Sequence, residues 1–506
     1  MRKLYLLTIL FLPVALLAQT RTVPSNVRVQ GGYSMTAIAT GLSFPTAVAY
    51  SHNRIWVSEA GLGTPPAVVE IENNLNTSTI LSGDMLPSGK FLGPLTDVTF
   101  HKGWLYVTHR QMASSGWVVG AISRFKPDDP VNTFTTLLTN LPSSGDHYTE
   151  EITFDSSGRA YFSQGSATNS SVVGADNDSW LQTFPTFHDF PAVDVVLSGI
   201  NYKTGAPFPL DPQARKITAP FHRFGSGPVS RGTIVKAPTP ANPKRGIIAG
   251  NGTVYSFDPN AKNPAKTLRL EGWGFRNPYG IRFDPFHRGS LFVSNNGADY
   301  RKGMVNDQLQ IVESRPVDND WDDLFVVHVT KGVQFFGWPD FFHDPKTGKP
   351  LPATNPLFCV DEPAVNPCPK FVFAARFRNK LTVQPAFSEL EHHSSANKFD
   401  VSTSRSFHSG DIYIAETGSL PPSTGADELI GFKVVRVDRK GKTQDFIVHT
   451  SQTQDVIFNP DGFNKPIDVK FMGSRMLVVD FGVFEPALNL VNPTSGKLWV
   501  VKAQAH

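Results

Sequence analysis

The chain has 506 residues, 40% hydrophobic and 18% charged, which allows a sizeable core and excludes wholesale disorder. Its 47 basic and 44 acidic side chains leave a formal charge of +3, which gives no basis for binding nucleic acid or an anionic lipid surface. Length alone admits roughly two to four ordinary domains or a single large all-β domain. At the N-terminus, Arg2 and Lys3 precede an apolar run from Leu4 to Leu17, with Ala18 small enough for cleavage. That pattern predicts a secretory signal peptide over 1–18 and a secreted or periplasmic mature chain over 19–506. No later apolar run is long enough for a membrane helix, so no integral membrane segment is expected after cleavage.

Six segments then repeat one pattern of strand, polar turn and second strand: 44–60, 93–110, 150–165, 277–297, 393–418 and 465–482. β-Branched and aromatic residues dominate them, as at Ile55-Trp56-Val57 and Leu105-Tyr106-Val107, and no long helical periodicity competes. Six such units predict an all-β fold, a six-bladed β-propeller, because radial closure leaves few exposed edges. The uneven spacing predicts long loop insertions at 172–250, rich in proline, and at about 299–391. The second insertion carries both cysteines, Cys359 and Cys368, whose context favours one local disulfide. Each second strand ends in polar residues: Ser58-Glu59, Thr108-His109, Ser163-Gln164, Ser294-Asn295, Glu416-Thr417 and Asp480. Their repeated position predicts one polar mouth ringed by six strand ends.

Three clusters carry candidate chemistry. His147, in the turn Gly145-Asp146-His147-Tyr148, has the residue type of a general base near neutral pH. Arg276 and Asn277, in Trp273-Gly274-Phe275-Arg276-Asn277-Pro278, offer a planar fork of donors beside an amide. Asn296-Gly297-Ala298-Asp299 is an oxygen-rich glycine turn that suits a hard cation or, more commonly, a plain β-turn. His392-His393 reads as a weak metal signal, since neighbours in a strand point to opposite faces.

In this order the His147 turn, WGFRNPYGIRFDP (273–285), LFVSNNGAD (291–299), FGWP (336–339), HSSANKF (393–399) and KPIDVKF (465–471) resemble the soluble quinoprotein glucose/sorbosone dehydrogenases. The resemblance runs from about Gly41 to Val501. It implies pyrroloquinoline quinone (PQQ) and calcium as cofactors. The implied substrate is a sugar or related alcohol or aldehyde, with a separate electron acceptor. His147 then matches the general base and Arg276 a catalytic and cofactor-binding residue; Asn277, Asn296 and Lys465 match cofactor contacts. Gly297 and Ala298 match the carbonyls that hold calcium. The sequence departs from that pattern at Ser166, which stands where an Asp orients the base, and at Ile467 and Tyr279. No clear cofactor lysine falls in 416–425. Loss of cationic contacts favours the alternative of a non-catalytic propeller binding a glycan or protein through the same mouth. A weaker third reading is a metal-dependent lactonase with Glu59 and Asp480 as ligands.

Overall fold

The structure, a computed structural model, describes residues 23–72, 76–114, 116–204, 208–305, 308–311, 313–360, 368–419 and 429–504. The expected signal peptide lies outside them. Each repeated segment supplies the inner and second strands of one antiparallel sheet, and six such sheets form the blades. Blades 1 and 2 are bare: Pro45–Ser51, Arg54–Glu59, Ala67–Ile71 and Thr77–Ser82, then Leu92–His101, Trp104–Met112, Val118–Phe125 and Thr135–Leu141. Blade 3 pairs Thr149–Phe154 and Ala160–Gln164 with the distant Thr253–Phe257 and Arg269–Trp273. Blade 4 is Asn277–Phe283, Ser290–Asn296, Asp323–His328 and Ser388–Glu389. Blade 5 is Ala396–Val401, Ile412–Glu416, Lys433–Val437 and Thr443–His449.

Blade 6 closes the ring. Its Pro466–Met472, Arg475–Asp480 and Gly496–Ala503 are completed by Tyr33–Leu42 from the other end of the chain. No repeat in the sequence announces that outer strand, because its partner lies at the opposite terminus. Among the described residues no helix is long and apolar enough to cross a membrane.

The blades pack face to face through the apolar side of each strand. Leu105, Val107 and Phe125 of blade 2 are buried with Trp56 and Val68 of blade 1. The inner strands are also tied edge to edge by carboxylates. Asp468 accepts from Val48 N (2.9 Å), Asp97 from Ile152 N (3.1 Å), Glu151 from Ile281 N (2.7 Å) and Asp400 from Phe471 N (2.8 Å). In four of six junctions, an acid on one inner strand therefore satisfies a backbone donor of the next. All six inner strands carry a register shift near their start, at Pro45/Ala47, Leu92/Asp97, Thr149/Ile152, Pro278/Gly280, Ala396/Phe399 and Pro466/Asp468. Such bulges bend a strand and re-aim its side chains. At one of them Lys398 reaches across the axis to the carbonyls of Thr46 (3.2 Å) and Thr96 and to Asp97 (3.2 Å).

The insertions differ from the expected boundaries. The stretch about 299–391 is not one insertion, since Asp323–His328 within it is the third strand of blade 4. Two segments flank that strand, and the second crosses to blade 3, where Gln334–Phe335 pairs in parallel with Gly272 and Trp273. Together with the segment after Gln164 they form a cap with its own core, including Val195, Phe221, Ala298, Phe335, Trp338 and Phe373. Arg315, fully buried, donates to Lys370 O (3.1 Å), Ser170 O (3.4 Å) and Pro339 O (2.9 Å), so one guanidinium joins all three segments. Cys359 and Cys368 are disulfide-bonded within the cap, as the sequence reading favours.

Candidate functional site

The polar strand ends do not line a mouth. Ser58, Thr108, Ser163, Ser294, Glu416 and Asp480 are all buried. Ser58 Oγ lies 2.8 Å from Thr46 Oγ1 and Thr108 Oγ1 lies 2.7 Å from Thr96 Oγ1. Ser163 Oγ accepts from Glu151 N at 3.2 Å and Ser294 Oγ from Gly280 N at 3.0 Å. Apart from Glu416, whose buried carboxylate has no hydrogen-bond partner among the described residues, these groups pair where the bulges interrupt the ladder. Glu59 and Asp480 are spent likewise: Glu59 accepts from Ser43 N (2.7 Å), and Asp480 accepts from Asn464 N, Lys465 N and Trp499 Nε1. The lactonase reading loses both proposed ligands.

The mouth is instead built by loops of blades 3, 4 and 5 with Trp180 from the cap. Its cavity, about 460 Å3, is lined among others by His147, Arg276, Asn277, Asn296, Asp299 and His393. That volume lies in the range of small-molecule sites. Two glycines bring the loops together. Gly145 has φ +101° and a Cβ there would sit 2.1 Å from Ala167 O; a Cβ on Gly165 would sit 2.3 Å from His147 Cβ and 2.7 Å from Asn277 Oδ1. A side chain at Gly165 would displace His147 or Asn277, and one at Gly145 would displace the backbone at Ala167.

His147 Nδ1 lies 2.9 Å from Ser166 O. A carbonyl can only accept, so Nδ1 carries the hydrogen and Nε2 the lone pair. Burial, then the positive charges of Arg276 and Arg301, hold this imidazole well below its ordinary 6.5, so it is neutral. The resemblance places a carboxylate at position 166; here the backbone carbonyl of Ser166 meets the imidazole instead. Asp189 fixes the same loop, accepting from Ala167 N (2.6 Å) and Thr168 Oγ1 (2.5 Å).

Across the cavity, Arg276 Nη2 pairs with Asp299 Oδ2 at 2.7 Å while its Nε is buried without a partner. Asn277 Nδ2 donates to Asn296 Oδ1 at 2.8 Å, and Asn296 Nδ2 to Ala396 O at 2.8 Å. Asp299 also takes His393 Nδ1 on Oδ1 at 3.2 Å. Burial would raise the Asp299 carboxyl, but Arg276, His393 and Arg301 outweigh it and hold it far below the usual carboxylate range. Arg301 bonds Asp146 Oδ2 (2.8 Å) and Asp176 Oδ2 (3.4 Å). The floor is Tyr279, with Lys398 Nζ 5.6 Å from its ring centre.

The structure thus brings His147, Arg276, Asn277 and Asn296 into one cavity. Lys465 is turned away: its Nζ donates to Phe484 O (3.2 Å) and lies 3.6 Å from Glu485, outside the mouth lining. Gly297 and Ala298 sit behind the wall, their N–H groups bonded to Asp322 Oδ1 (3.0 Å) and Asp320 Oδ2 (2.6 Å). Sequence reading undervalued His393. It and His392 precede the blade 5 strand rather than lie in it, and their rings approach to 3.6 Å. His393 and Ser395, both in the mouth wall, have φ of 58° and 52°. Arg301 has no local signal in the sequence, and Asp299, singled out there only as part of an oxygen-rich turn, pairs instead with Arg276 and His393, which are distant in sequence.

No family model matches this chain, and no curated protein does. Among solved structures it is similar to the PQQ-bound aldose sugar dehydrogenase of Streptomyces coelicolor, at 10% identity and a TM-score of 0.49 over 95% of this chain and 99% of that one. It is similar also to the apo form of the soluble aldose sugar dehydrogenase of Escherichia coli, at 11% identity and 0.49 over 93% and 100%. The six-bladed assignment rests on the strand pairing described above.

Proposed function

We propose that this protein is a quinone-dependent oxidoreductase acting on a sugar or related alcohol or aldehyde at the mouth of blades 3 to 5. The observation that carries the reading is His147, a neutral base whose tautomer is fixed by Ser166 O, in one cavity with an unspent guanidinium N–H on Arg276. An unspent buried donor beside the amides of Asn277 and Asn296 fits the oxygens of an ortho-quinone. Arg301 is the second guanidinium in the wall that would face the carboxylates of PQQ. Bound there, PQQ would supply the two-electron acceptor for the substrate's hydride.

The chain's own residues have three tasks. His147 Nε2 accepts the substrate hydroxyl proton, while Nδ1–H remains on Ser166 O, so the ring gains charge without reorienting. Arg276, held by Asp299, stabilises negative charge developing on oxygen from a position fixed before reaction. Asn277 and Asn296, locked to each other and to Ala396 O, keep the polar wall rigid. Calcium, which the resemblance implies, would need oxygens of water and of the cofactor beside the carbonyls of Gly297 and Ala298 to reach the six to eight it takes. Among the described residues no three His, Cys, Asp or Glu side chains are grouped to hold a metal.

The test is titration of the purified protein with PQQ followed by absorption spectroscopy, then dye reduction over a panel of aldoses and alcohols. Saturable binding with turnover, and a His147→Ala variant that binds but does not turn over, supports the reading. Absence of both binding and turnover overturns it. One observation favours a non-catalytic glycan- or protein-binding mouth: Arg276 and Arg301 are already paired with carboxylates, and Lys465 is turned away. That reading requires capture of a glycan or protein without quinone, unaltered in His147→Ala.

A further inference from the structure

The proline-rich segment after blade 3's second strand encloses a second cavity of about 540 Å3, separate from the mouth. Four cations line it: Arg223, Lys236, Lys244 and Arg245. No Asp or Glu does. The acid Asp194 neutralises Lys236 from outside the lining, at 2.6 Å. Among the described residues, no carboxylate forms a salt bridge with Arg223, Lys244 or Arg245. Lys244 Nζ reaches only Asn242 Oδ1 (3.3 Å) and Arg245 Nη1 only Thr186 O (3.3 Å). Like charges collected around one hollow repel each other unless a counter-charge enters.

The rest of the lining is apolar and aromatic, with Phe190 and Phe221 at its base and the exposed Ile234 at its edge. Two lining residues hold left-handed backbone: Phe221 at φ 58° and Arg245 at φ 51°. For a bulky residue that conformation is strained, and such strain clusters at ligand sites. His188 and His222 donate Nδ1–H to the carbonyls of Thr186 (2.9 Å) and Pro220 (2.8 Å), which fixes both rings in the wall. Burial, then the positive charges of Arg245 and Arg223, lowers His188 to about 4. The hollow is therefore positive, rigid and apolar at its base.

We propose that this cavity binds an organic polyanion, a small molecule carrying two or more carboxylate or phosphate groups on an aromatic or apolar body. The cations take the acidic groups and the Phe190–Phe221 floor takes the body. The site adjoins the mouth through the chain itself, since Asp189, next to His188, clamps the loop that presents Ser166 O to His147.

Calorimetric titration of the whole protein with benzene-1,3,5-tricarboxylate at low salt, beside inorganic phosphate, tests this. The expected result is saturable one-to-one binding of the tricarboxylate, at least tenfold tighter than phosphate and weakened by added sodium chloride. Arg223→Ala with Lys244→Ala weakens it at least tenfold, with an unchanged thermal unfolding profile. Arg301→Gln, which removes the mouth guanidinium assigned to carboxylates, leaves it unchanged, which separates this site from the mouth. No saturable binding, or binding unaltered in the double variant, overturns the site. Phosphate binding as tightly as the tricarboxylate overturns the role given to the apolar floor.

Discussion

Blade 1 and blade 4 share one inner frame and differ in everything hung on it. Blade 1 runs its four strands from Pro45 to Ser82, while blade 4 needs Asn277 to Glu389. Both inner pairs carry the same bulge, at Pro45/Ala47 and Pro278/Gly280, and both meet it with a second-strand hydroxyl, Ser58 or Ser294. The residue at the bulge is Thr46 in one, bonded to Leu95 O, and Tyr279 in the other, facing the cavity. The ring therefore supplies a repeated scaffold, and chemistry enters only where long connections over blades 3 and 4 add polar residues to the scaffold's mouth.

Two histidines, one in each kind of region, give the widest separation. His147→Ala is expected to lower turnover per molecule of bound quinone roughly 10²- to 10⁴-fold, the usual contribution of a general base. His109 of bare blade 2 is spent on Arg110 O (2.7 Å) and Ser123 Oγ (2.8 Å), so His109→Gln leaves kcat of the folded protein unchanged. Equal losses in both would erase the distinction.

Next in size is the cap. Arg315→Met removes the guanidinium joining its three segments and leaves the buried Asp340 without its 3.8 Å partner. Breaking such a buried pair costs about 3–5 kcal/mol. Hydrogen exchange should rise across 165–252 and 313–387 and stay slow in blades 1 and 2. Leu105→Ala makes the converse cut. It opens a cavity between blades 1 and 2 at a cost of about 2–5 kcal/mol. The denaturant midpoint should fall while the affinity of the folded protein for quinone is unchanged.

The smallest effect is a pH dependence from the wall behind the mouth. Burial pushes Asp189 and Asp320 from 3.8 up to about 7. Their folded forms hold protons that the unfolded chain has released, so each contributes stability fully below about pH 4 and has lost it above about 7. Buried His109 and His188, both lowered to about 4, oppose this, but only below 6.5. The interval from pH 6.5 to 8 leaves the histidines out, and there Glu150 and Asp176, raised to about 7, and Glu313, raised to about 8, act in the same direction as the two aspartates. Stability should fall there by on the order of 1 kcal/mol for each such carboxyl. Asp320→Asn, which can still accept from Ala298 N, should shrink the fall.

Much of this was legible in the sequence, for reasons that differ by residue. The inner strand pairs were, because alternation is local and each turn lies within its own segment. The Cys359–Cys368 bond was, because the two positions are close and no other cysteine competes. Short motifs singled out His147, Arg276, Asn277 and Asn296, which the structure brings into one cavity. The wrong inference about the strand ends has a clear cause: polar residues at a repeated position look like a mouth, but the bulges turn them inward to satisfy the backbone.

By itself, then, the sequence determined six repeated units, their order and the short polar motifs between them, because these depend on local periodicity and turn chemistry. Only the tertiary structure decided which loops meet. It placed Tyr33–Leu42 beside the C-terminal strand, Ser166 O against His147, Asp299 between Arg276 and His393, and Lys465 away from the mouth. Each of these depends on contacts between segments distant in the chain, fixed by ring closure and by a cap core built from three separate insertions. No local pattern encodes such meetings; burial and the need to pair most buried polar groups select them.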